Sequence, residues 1–381
     1  MNWRVPLADL DYGIEEEQAV RAVVQKRWLT MGATTQRFEK EFADFIGVKH
    51  ALAVSNATVA LHLACLALGI GEGDEVVAPS LTFVATTNAV LYTGAQVRFA
   101  DIVSCDDLTI APTEIEKQIT PQTRAIMVMH YGGYACQMES IMQIAAQHKL
   151  AVIEDAAHAP GASSNGKSLG TIGDVGCFSF FSNKNLSTGE GGMLVTNRDD
   201  IAARVRLLRS HGMTSLTWDR HQGHAHSYDV VDLGYNYRID EIHSALGIAQ
   251  LQKLRAGNAS RRLITKKYWE ALSETGLGLP FQDTECGSAC HLFPIVLPPG
   301  MDRQAFMEGM KADGIQTSIH YPPIHRFSFY RKLYPNVSLP VTEDVAAREV
   351  TLPLYPTMDY QDIDWVLSTA CKLMQEHSMS F

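Results

Sequence analysis

The 381-residue sequence lacks the clusters of basic residues that proteins use to bind nucleic acid. It contains 32 Lys and Arg against 42 Asp and Glu, which gives a formal net charge of −10. Neutralising the phosphates of DNA or RNA requires cations grouped on one surface. We therefore expect no nucleic-acid partner.

A hydrophobic run suited to a bilayer is also missing. The uncharged stretch at residues 51–70 contains Ser55, Asn56, Thr58 and His62, whose polar groups would be costly in lipid. The opening residues, MNWRVPLADLDYG, have no apolar core of the signal-peptide type. We expect a buried strand, a turn and a buried helix in this stretch, and no membrane span.

Cysteine is sparse, with seven residues scattered along the chain. An odd and dispersed set is unlike the disulfide framework of a small secreted protein. Only Cys286 and Cys290 are close together, and no second pair or nearby histidines complete a zinc site. The histidines of HQGHAH (221–226) lack a fixed spacing and are interpreted as part of a polar loop. We predict reduced thiols, a cytoplasmic location and no bound metal.

From about residue 50 the sequence alternates short apolar runs with helix-like stretches. The apolar runs are residues 50–54, 75–78, 96–99, 125–129, 151–154, 175–180 and 193–196, and helix-like stretches lie at 58–68, 82–92, 113–119 and 138–149. This alternation is typical of an α/β protein with a mostly parallel, doubly wound sheet. The last two runs have no helix between them, which predicts at least one antiparallel neighbour there.

The remainder of the chain predicts a smaller second domain. Residues 240–274 have the spacing of one long helical region. A strand-like HLFPIVL, a helix-like stretch at 302–313, a proline-rich loop at 320–326 and a final helix from Tyr360 follow. We place the boundary inside the long helix and predict a large domain at residues 1–255 and a small α+β domain at 256–381.

Residues 161–168, GASSNGKS, match the pattern of a phosphate-binding P-loop. Such a loop needs a helix that begins at its Lys-Ser pair, so that backbone amides and the helix dipole face the phosphates. Here Lys167 and Ser168 are followed by LGTIGDVGC, whose three glycines disfavour a helix. A P-loop nucleotide-binding protein is therefore only a minor alternative.

The most informative segment is residues 151–196. Asp155 follows an apolar run, at the strand end where doubly wound sheets bind their ligands. Lys184 lies 29 residues later, in a turn rich in Ser, Asn and Gly. A lone lysine after an apolar run is usually a surface residue. Together with the upstream carboxylate, however, it suggests a lysine that bonds to a carbonyl cofactor, opposite an acid that keeps a pyridinium protonated.

This segment resembles the DegT/StrS-like sugar aminotransferases, a branch of the fold-type-I pyridoxal-phosphate enzymes. The matching blocks are AVSNATVALHLA (53–64), GDEVVAPSLTFVATTNAVLYTGAQVRFADI (73–102), VIEDAAHAPGA (152–162), GCFSFFSNKNLSTGEGGMLVTN (176–197), LGYNYRIDEIHSALGIAQL (233–251) and GIQTSIHYPPIH (314–325). They follow the family's order and span nearly the whole chain. The resemblance implies an aspartate-aminotransferase-like fold and pyridoxal 5'-phosphate as cofactor.

The resemblance also implies two catalytic residues. Lys184 matches the lysine that bonds to the cofactor and moves the substrate proton, and Asp155 matches the carboxylate paired with the pyridine nitrogen. The other implied cofactor-binding residues are Ala57, Thr58, Phe83, His158, Ser179 and Asn236. His320 and Tyr321, in the proline-restricted loop, are assigned to substrate binding.

The cofactor-binding positions have distinct implied roles. Thr58 and Ser179 match phosphate-binding positions, and a helix N-terminus at Thr58 favours a dianion. Phe83 matches the aromatic residue that stacks on the ring, and His158 the residue near the ring hydroxyl. Asn236 matches a residue that reaches the phosphate of the neighbouring subunit, which implies a homodimer with shared active sites. Ala57 replaces a glycine that is frequent in the family.

The implied activity is transfer of an amino group, with L-glutamate as donor, to a nucleotide-linked keto-sugar. A sugar dehydratase of the same fold is an alternative, but such enzymes have histidine at the position of Lys184. A non-catalytic regulator that binds the cofactor is another, and we would expect it to carry a DNA-binding segment that this chain lacks.

Overall fold

The computed structural model describes residues 3–215, 223, 227–282, 284 and 287–378. Strands in its first half are β1 (His50–Val54), β2 (Glu75–Pro79), β3 (Gln96–Ala100), β4 (Thr123–Met129), β5 (Ala151–Asp155), β6 (Ser163–Ser164), β7 (Lys167–Ser168), β8 (Val175–Ser179) and β9 (Gly192–Thr196). Seven of them form one sheet in the order β1-β9-β8-β5-β4-β2-β3. The strands from β3 to β8 in this order are parallel, whereas β9 is antiparallel to both β8 and β1. The predicted α/β class and the predicted antiparallel neighbour are therefore confirmed.

Helices connect the strands and cover the sheet. They are α1 (Ile14–Lys26), α2 (Ala33–Ile46), α3 (Ala57–Ala67), α4 (Ala85–Leu91), α5 (Pro112–Gln118), α6 (Met138–His148) and α7 (Asp199–Leu208). The uncharged stretch at residues 51–70 is β1 followed by α3, and α3 packs with the sheet in one core. Helix α3 begins after Asn56, whose side chain accepts a hydrogen bond from the Val59 N–H.

A 32-residue helix, α8 (Glu241–Leu272), links the two halves of the chain. At its start the Glu241 carboxylate accepts hydrogen bonds from the backbone N–H groups of Gly32, Thr34 and Thr35 at the beginning of α2. A Cβ atom at Gly247 would lie 2.4 Å from the Phe38 ring, so glycine allows α2 and α8 to approach closely. The sequence had predicted this helix at residues 240–274.

The C-terminal segment contains a two-stranded antiparallel sheet and several helices. Its elements are β10 (Phe293–Val296), α9 (Arg303–Ala312), α10 (Ser328–Leu333), α11 (Pro340–Arg348), β11 (Glu349–Leu352) and α12 (Tyr360–Ser378). The apolar side chains of β10, α9, α11, β11 and α12 share one core with Tyr268 of α8 and with Met129 and Tyr131 at the end of β4, whereas Tyr330 of α10 packs into the core of the main sheet. The sequence did not predict α10, α11 or β11, and the boundary near residue 255 stays a prediction.

The segment that matches a P-loop is a hairpin. Strands β6 and β7 pair around Asn165 and Gly166, whose φ angles of 49° and 75° form a left-handed turn. Lys167 and Ser168 lie in β7, so no helix begins at them. This geometry disagrees with a phosphate-binding loop at residues 161–168.

The described part of the chain contains no helix that is long and apolar enough to cross a bilayer. Within the same residues, no three or more His, Cys, Asp or Glu side chains are grouped so that they could hold a metal ion. His221, His224, His226 and Cys286 lie outside the described residues.

Candidate active site

A cavity of about 440 Å³ lies where three neighbouring strands of the sheet end. Met129, Asp155 and Ser179, the last residues of β4, β5 and β8, line it. The carboxyl ends of parallel strands share one edge, which is where doubly wound sheets bind ligands. The cavity brings together nine of the residues predicted from the sequence: Ala57, Thr58, Phe83, Asp155, His158, Ser179, Lys184, His320 and Tyr321.

Lys184 and Asp155 provide the opposite charges in this cavity. Lys184 lies in the turn after β8, where its N–H donates to the Phe181 carbonyl. Burial lowers the pKa of Lys184 to about 7, although the charge of Asp155 acts in the other direction. An amine with this pKa is partly neutral near pH 7, as a nucleophile or a proton acceptor must be.

Asp155 is buried at the end of β5. Its carboxylate accepts hydrogen bonds from the Thr86 hydroxyl at 2.7 Å and the Ala157 N–H at 3.2 Å. Burial raises the pKa of Asp155, and these bonds and the charge of Lys184 only partly offset it. A cation bound in the cavity would stabilise the ionised carboxylate. Thr86 was not identified from the sequence, although it lies in one of the matching blocks.

The N-terminus of α3 faces the same cavity. Ala57 and Thr58 are in its first turn, where backbone N–H groups have no partner within the helix. A Cβ atom at Gly192 in β9 would lie 2.5 Å from the Asn56 carbonyl carbon and 2.8 Å from the Ala57 nitrogen. Glycine at this position therefore lets the helix start approach the sheet and presents its amides as an anion site.

The orientation of His158 is fixed by its neighbours. Its Nδ1 accepts a hydrogen bond from the Gly132 N–H at 3.3 Å, and its Nε2 lies 3.0 Å from the Tyr321 hydroxyl. Burial and the nearby charge of Lys184 hold the pKa of His158 well below its usual value. The neutral ring therefore carries its proton on Nε2 and donates it to Tyr321, which leaves the Tyr321 hydrogen available to a ligand.

His320 is held by hydrogen bonds to two side chains of β11. Its Nδ1 lies 2.8 Å from the Thr351 hydroxyl, and its backbone N–H donates to the Glu349 carboxylate at 2.8 Å. Burial and the charge of Lys184 lower the pKa of His320 to about 4, so the ring is neutral. Burial also raises the pKa of Glu349 to about 8. The hydroxyl of Tyr131 donates to the His320 carbonyl and fixes the loop from the other side.

Asn236 does not line the cavity of its own chain; it is exposed and pairs with Ser210 in a short bridge. His291, which the sequence analysis did not identify, lies with its Nε2 3.3 Å from the Lys184 amine. Its sequence context, a single histidine before the apolar LFPIVL, gives no sign of this contact.

Comparison with known proteins decides the family. A model of the DegT/DnrJ/EryC1/StrS aminotransferase family matches residues 11–370. The chain belongs to this family. The predicted resemblance is confirmed, and with it the fold type and the dependence on pyridoxal phosphate that characterise these sugar aminotransferases.

Individual relatives match along most of their length. The spore coat polysaccharide biosynthesis protein SpsC of Bacillus subtilis is 39% identical over 363 residues, which cover 93% of each chain. The structure of Helicobacter pylori PseC, an aminotransferase involved in the biosynthesis of pseudoaminic acid, is 28% identical with a TM-score of 0.91, covering 99% of this chain and 100% of PseC. The structure of NtdA from Bacillus subtilis with bound PMP is 28% identical with a TM-score of 0.87, covering 97% of this chain and 83% of NtdA.

The side chains of the cavity fit this cofactor. A buried carboxylate whose pKa is raised by burial suits a pyridinium nitrogen, and the amides at the start of α3 suit a phosphate. Lys184 supplies an amine that is partly neutral near pH 7. Phe83 lines the cavity with 55% of its surface exposed, so its ring is available for stacking on a flat ligand.

Proposed function

We propose that this protein transfers an amino group from L-glutamate to a nucleotide-linked keto-sugar, with pyridoxal phosphate bonded to Lys184. The observation that carries the proposal is the pairing, in one cavity at the strand ends, of a lysine whose pKa is about 7 with the buried carboxylate of Asp155. A structural ion pair would not require the lysine to be partly neutral.

In this proposal each side of the cavity holds one part of the cofactor. The N–H groups of Ala57 and Thr58 and the hydroxyl of Ser179 bind the phosphate, because they lie together at the start of α3 and the end of β8. Asp155 stabilises the protonated pyridine nitrogen, and Phe83 stacks on the ring. His158 and Tyr321, whose Nε2 and hydroxyl are 3.0 Å apart, would hold the ring hydroxyl, to which Tyr321 could donate its hydrogen.

The chemistry divides between the cofactor and two side chains. Pyridoxal phosphate, when bound, supplies an electron sink for the carbon that loses its proton. Lys184 takes the proton from the amino donor and returns it, which its pKa of about 7 allows in both directions near neutral pH. Asp155 keeps a negative charge where the ring nitrogen is positive, and so stabilises the charge separation.

The proposed substrates rest on the named relatives. SpsC is named for the biosynthesis of a spore coat polysaccharide, and PseC is an aminotransferase in the biosynthesis of pseudoaminic acid. A keto-sugar is therefore the favoured acceptor. The nucleotide and the identity of the donor are expectations from the family resemblance. The cytoplasmic location is an expectation from the cysteine pattern, which the free thiols of Cys65, Cys136 and Cys177 support.

We also propose a homodimer with shared active sites. Asn236 is exposed, and the segment before it presents an apolar surface in which Tyr228, Val230 and Val231 are more than half exposed and Leu233 is 81% exposed. A second copy of this chain would cover these side chains and could bring Asn236 to the neighbouring phosphate site.

The amino-transfer proposal is tested with apoenzyme and added pyridoxal phosphate. A visible absorbance band should form, fade on addition of L-glutamate with release of 2-oxoglutarate, and return when a suitable nucleotide-linked keto-sugar is supplied. Mass spectrometry across a panel of such sugars identifies the aminated product. A sugar product that has lost water without gaining nitrogen would instead identify a dehydratase, and a missing visible band would contradict the amino-transfer proposal.

The dimer proposal is tested by mixing two inactive variants after mild dissociation, Lys184→Ala and Asn236→Trp. In the mixed dimer both defects can fall in one site, which leaves the other site intact and restores part of the activity. Heterodimers that form without any recovered activity would show that each chain builds its site alone.

A further inference from the structure

His291 is held rigidly beside the amine of Lys184. Its backbone N–H donates to the Gly132 carbonyl at 2.8 Å, and the Ala289 N–H donates to the Gly133 carbonyl at 3.2 Å. Its side chain is only 6% exposed, and its Nε2 lies 3.3 Å from Lys184 Nζ. The segment before β10 is thus fixed to the loop after β4, and the imidazole faces Lys184.

A chain of amides determines which nitrogen of His291 carries the proton. Asn258 donates through Nδ2 to the Pro160 carbonyl at 2.9 Å, so its Oδ1 faces Asn185. Asn185 donates through Nδ2 to this Oδ1 and to the Ala289 carbonyl, both at 2.8 Å. Backbone carbonyls can only accept, so the orientation of both amides is fixed.

The oxygen of Asn185 therefore faces His291. Asn185 Oδ1 lies 2.9 Å from His291 Nδ1, and since this oxygen cannot donate, Nδ1 must carry a hydrogen. Burial, together with the positive charge of Lys184, holds the pKa of His291 well below its usual value. The ring is neutral and has one hydrogen, so Nε2 presents a lone pair to the Lys184 amine.

We propose that His291 is a positioning residue for Lys184, whose free amine donates a hydrogen bond to His291 Nε2 and is thereby held in the cavity whenever it is not bonded to the cofactor. The inference rests on the proposed function of Lys184. Transfer of an amino group from donor to acceptor frees this lysine for part of every cycle, and an unrestrained side chain with four rotatable bonds would lose its alignment.

The other groups that face Lys184 do not duplicate this role. His158 has both ring nitrogens engaged, with Gly132 and Tyr321. Asp155 acts on Lys184 through its charge, and the pKa values of His158 and His320 are lowered by the charge of Lys184. A neutral acceptor such as His291 favours the ammonium form of Lys184, so its removal should lower the pKa of the lysine further.

Two substitutions separate the acceptor from the bulk of the ring. In His291→Gln the side-chain amide reaches about as far as Nε2 and can still accept from Lys184. In His291→Asn the amide reaches only as far as Nδ1, so it can bond to Asn185 but not to Lys184. Both variants replace the ring by an amide, and circular dichroism melting curves check that each is folded.

The measurement is the rate at which each apoenzyme attaches pyridoxal phosphate, followed by visible absorbance across a pH series. Attachment requires the neutral amine, so the rate rises with pH through the pKa of Lys184, with a wild-type midpoint near 7. We expect His291→Asn to lower this midpoint by about one pH unit and the limiting rate by about tenfold. The His291→Gln variant should keep the wild-type midpoint.

Three results would overturn the proposal. If His291→Asn keeps the wild-type midpoint and rate, no functional hydrogen bond to Lys184 exists. If the Asn and Gln variants change equally, His291 contributes only its volume. If wild-type apoenzyme forms no visible band at all, the proposed function fails, and the role of His291 fails with it.

Discussion

Two walls of the active-site cavity are built in different ways. The sheet wall, formed by Ala57, Thr58, Asp155 and Ser179, lies at the ends of strands and at the start of α3. The C-terminal wall consists of His320 and Tyr321, which line the cavity, together with His291, which contacts Lys184. All three lie outside helices and strands and are held by individual hydrogen bonds. Lys184 lies between them.

The two walls also differ in charge. The sheet wall supplies the carboxyl group of Asp155, whose charge when ionised acts on Lys184, and a helix terminus that attracts anions. The C-terminal wall supplies neutral groups, because burial lowers the pKa values of His291 and His320 and raises that of Tyr321. We therefore expect the sheet wall to provide electrostatic stabilisation and the C-terminal wall to provide directed hydrogen bonds.

The largest expected effect on turnover comes from replacing Lys184, which lies between the two walls. Lys184→Ala should lower turnover by more than about a thousandfold while leaving the protein folded, since no other lysine is among the described residues that line the cavity. Turnover with glutamate and a keto-sugar and the melting temperature are to be measured together. Activity above about one per cent of wild type in a folded variant would show that a group other than Lys184 carries out the chemistry.

Glu154 and Asp155 are neighbours on β5, and their side chains face opposite sides of the sheet. Asp155→Asn should lower turnover by about a hundredfold, because the ring nitrogen loses its counter-charge, with little change in stability. Glu154→Gln should instead lower the stability of the fold and leave turnover nearly unchanged. Glu154 accepts hydrogen bonds from buried His130 and from the Gly170 and Gly173 N–H groups.

Replacing that carboxylate with an amide puts a donor where only an acceptor fits, at a cost of about 3 kcal/mol. The free energy of unfolding from urea denaturation and the turnover number of each variant decide the comparison. Equal losses of activity and of stability in the two variants would show that Asp155 and Glu154 do not have separate roles in catalysis and in folding.

Two glycine substitutions test the phosphate site that we propose at the start of α3. Gly192→Ala places a methyl group 2.5 Å from the backbone at the start of α3, so the helix must shift. We expect cofactor affinity to weaken by about tenfold or more, measured by equilibrium titration of the apoenzyme. Gly257→Ala, whose nearest neighbour would lie 3.7 Å away, is the control and should leave affinity unchanged. Unchanged affinity in Gly192→Ala would place the phosphate elsewhere.

The smallest effect is expected on the C-terminal wall. Tyr321→Phe removes a hydroxyl that accepts from His158 and can donate to a ligand. Catalytic efficiency should fall about fivefold, the value of one neutral hydrogen bond, while the visible band still forms. A loss as large as that of Asp155→Asn would show that this wall takes part in the charge chemistry.

Much of the sheet wall could be predicted from the sequence. The apolar runs predicted all seven strands of the main sheet within two residues at each end. The strand-end position of Asp155 and the glycine-rich turn at Lys184 predicted the two groups that the structure places in one cavity. Their catalytic roles stay predictions, as do the position of Asn236 at a neighbouring subunit and the boundary near residue 255.

The sequence by itself determined the strand–helix alternation, the family and the cofactor, because these follow from local periodicity and from contiguous blocks of residues. Only the tertiary structure decided how the C-terminal wall is arranged, because the sequence named His320 and Tyr321 without their partners and gave no sign of His291. Lys184 and His291 are 107 positions apart, and His158 and Tyr321 are 163 positions apart. The protonated nitrogen of each histidine depends on which backbone carbonyl or amide lies next to it after folding, and no local pattern in the sequence records that neighbour.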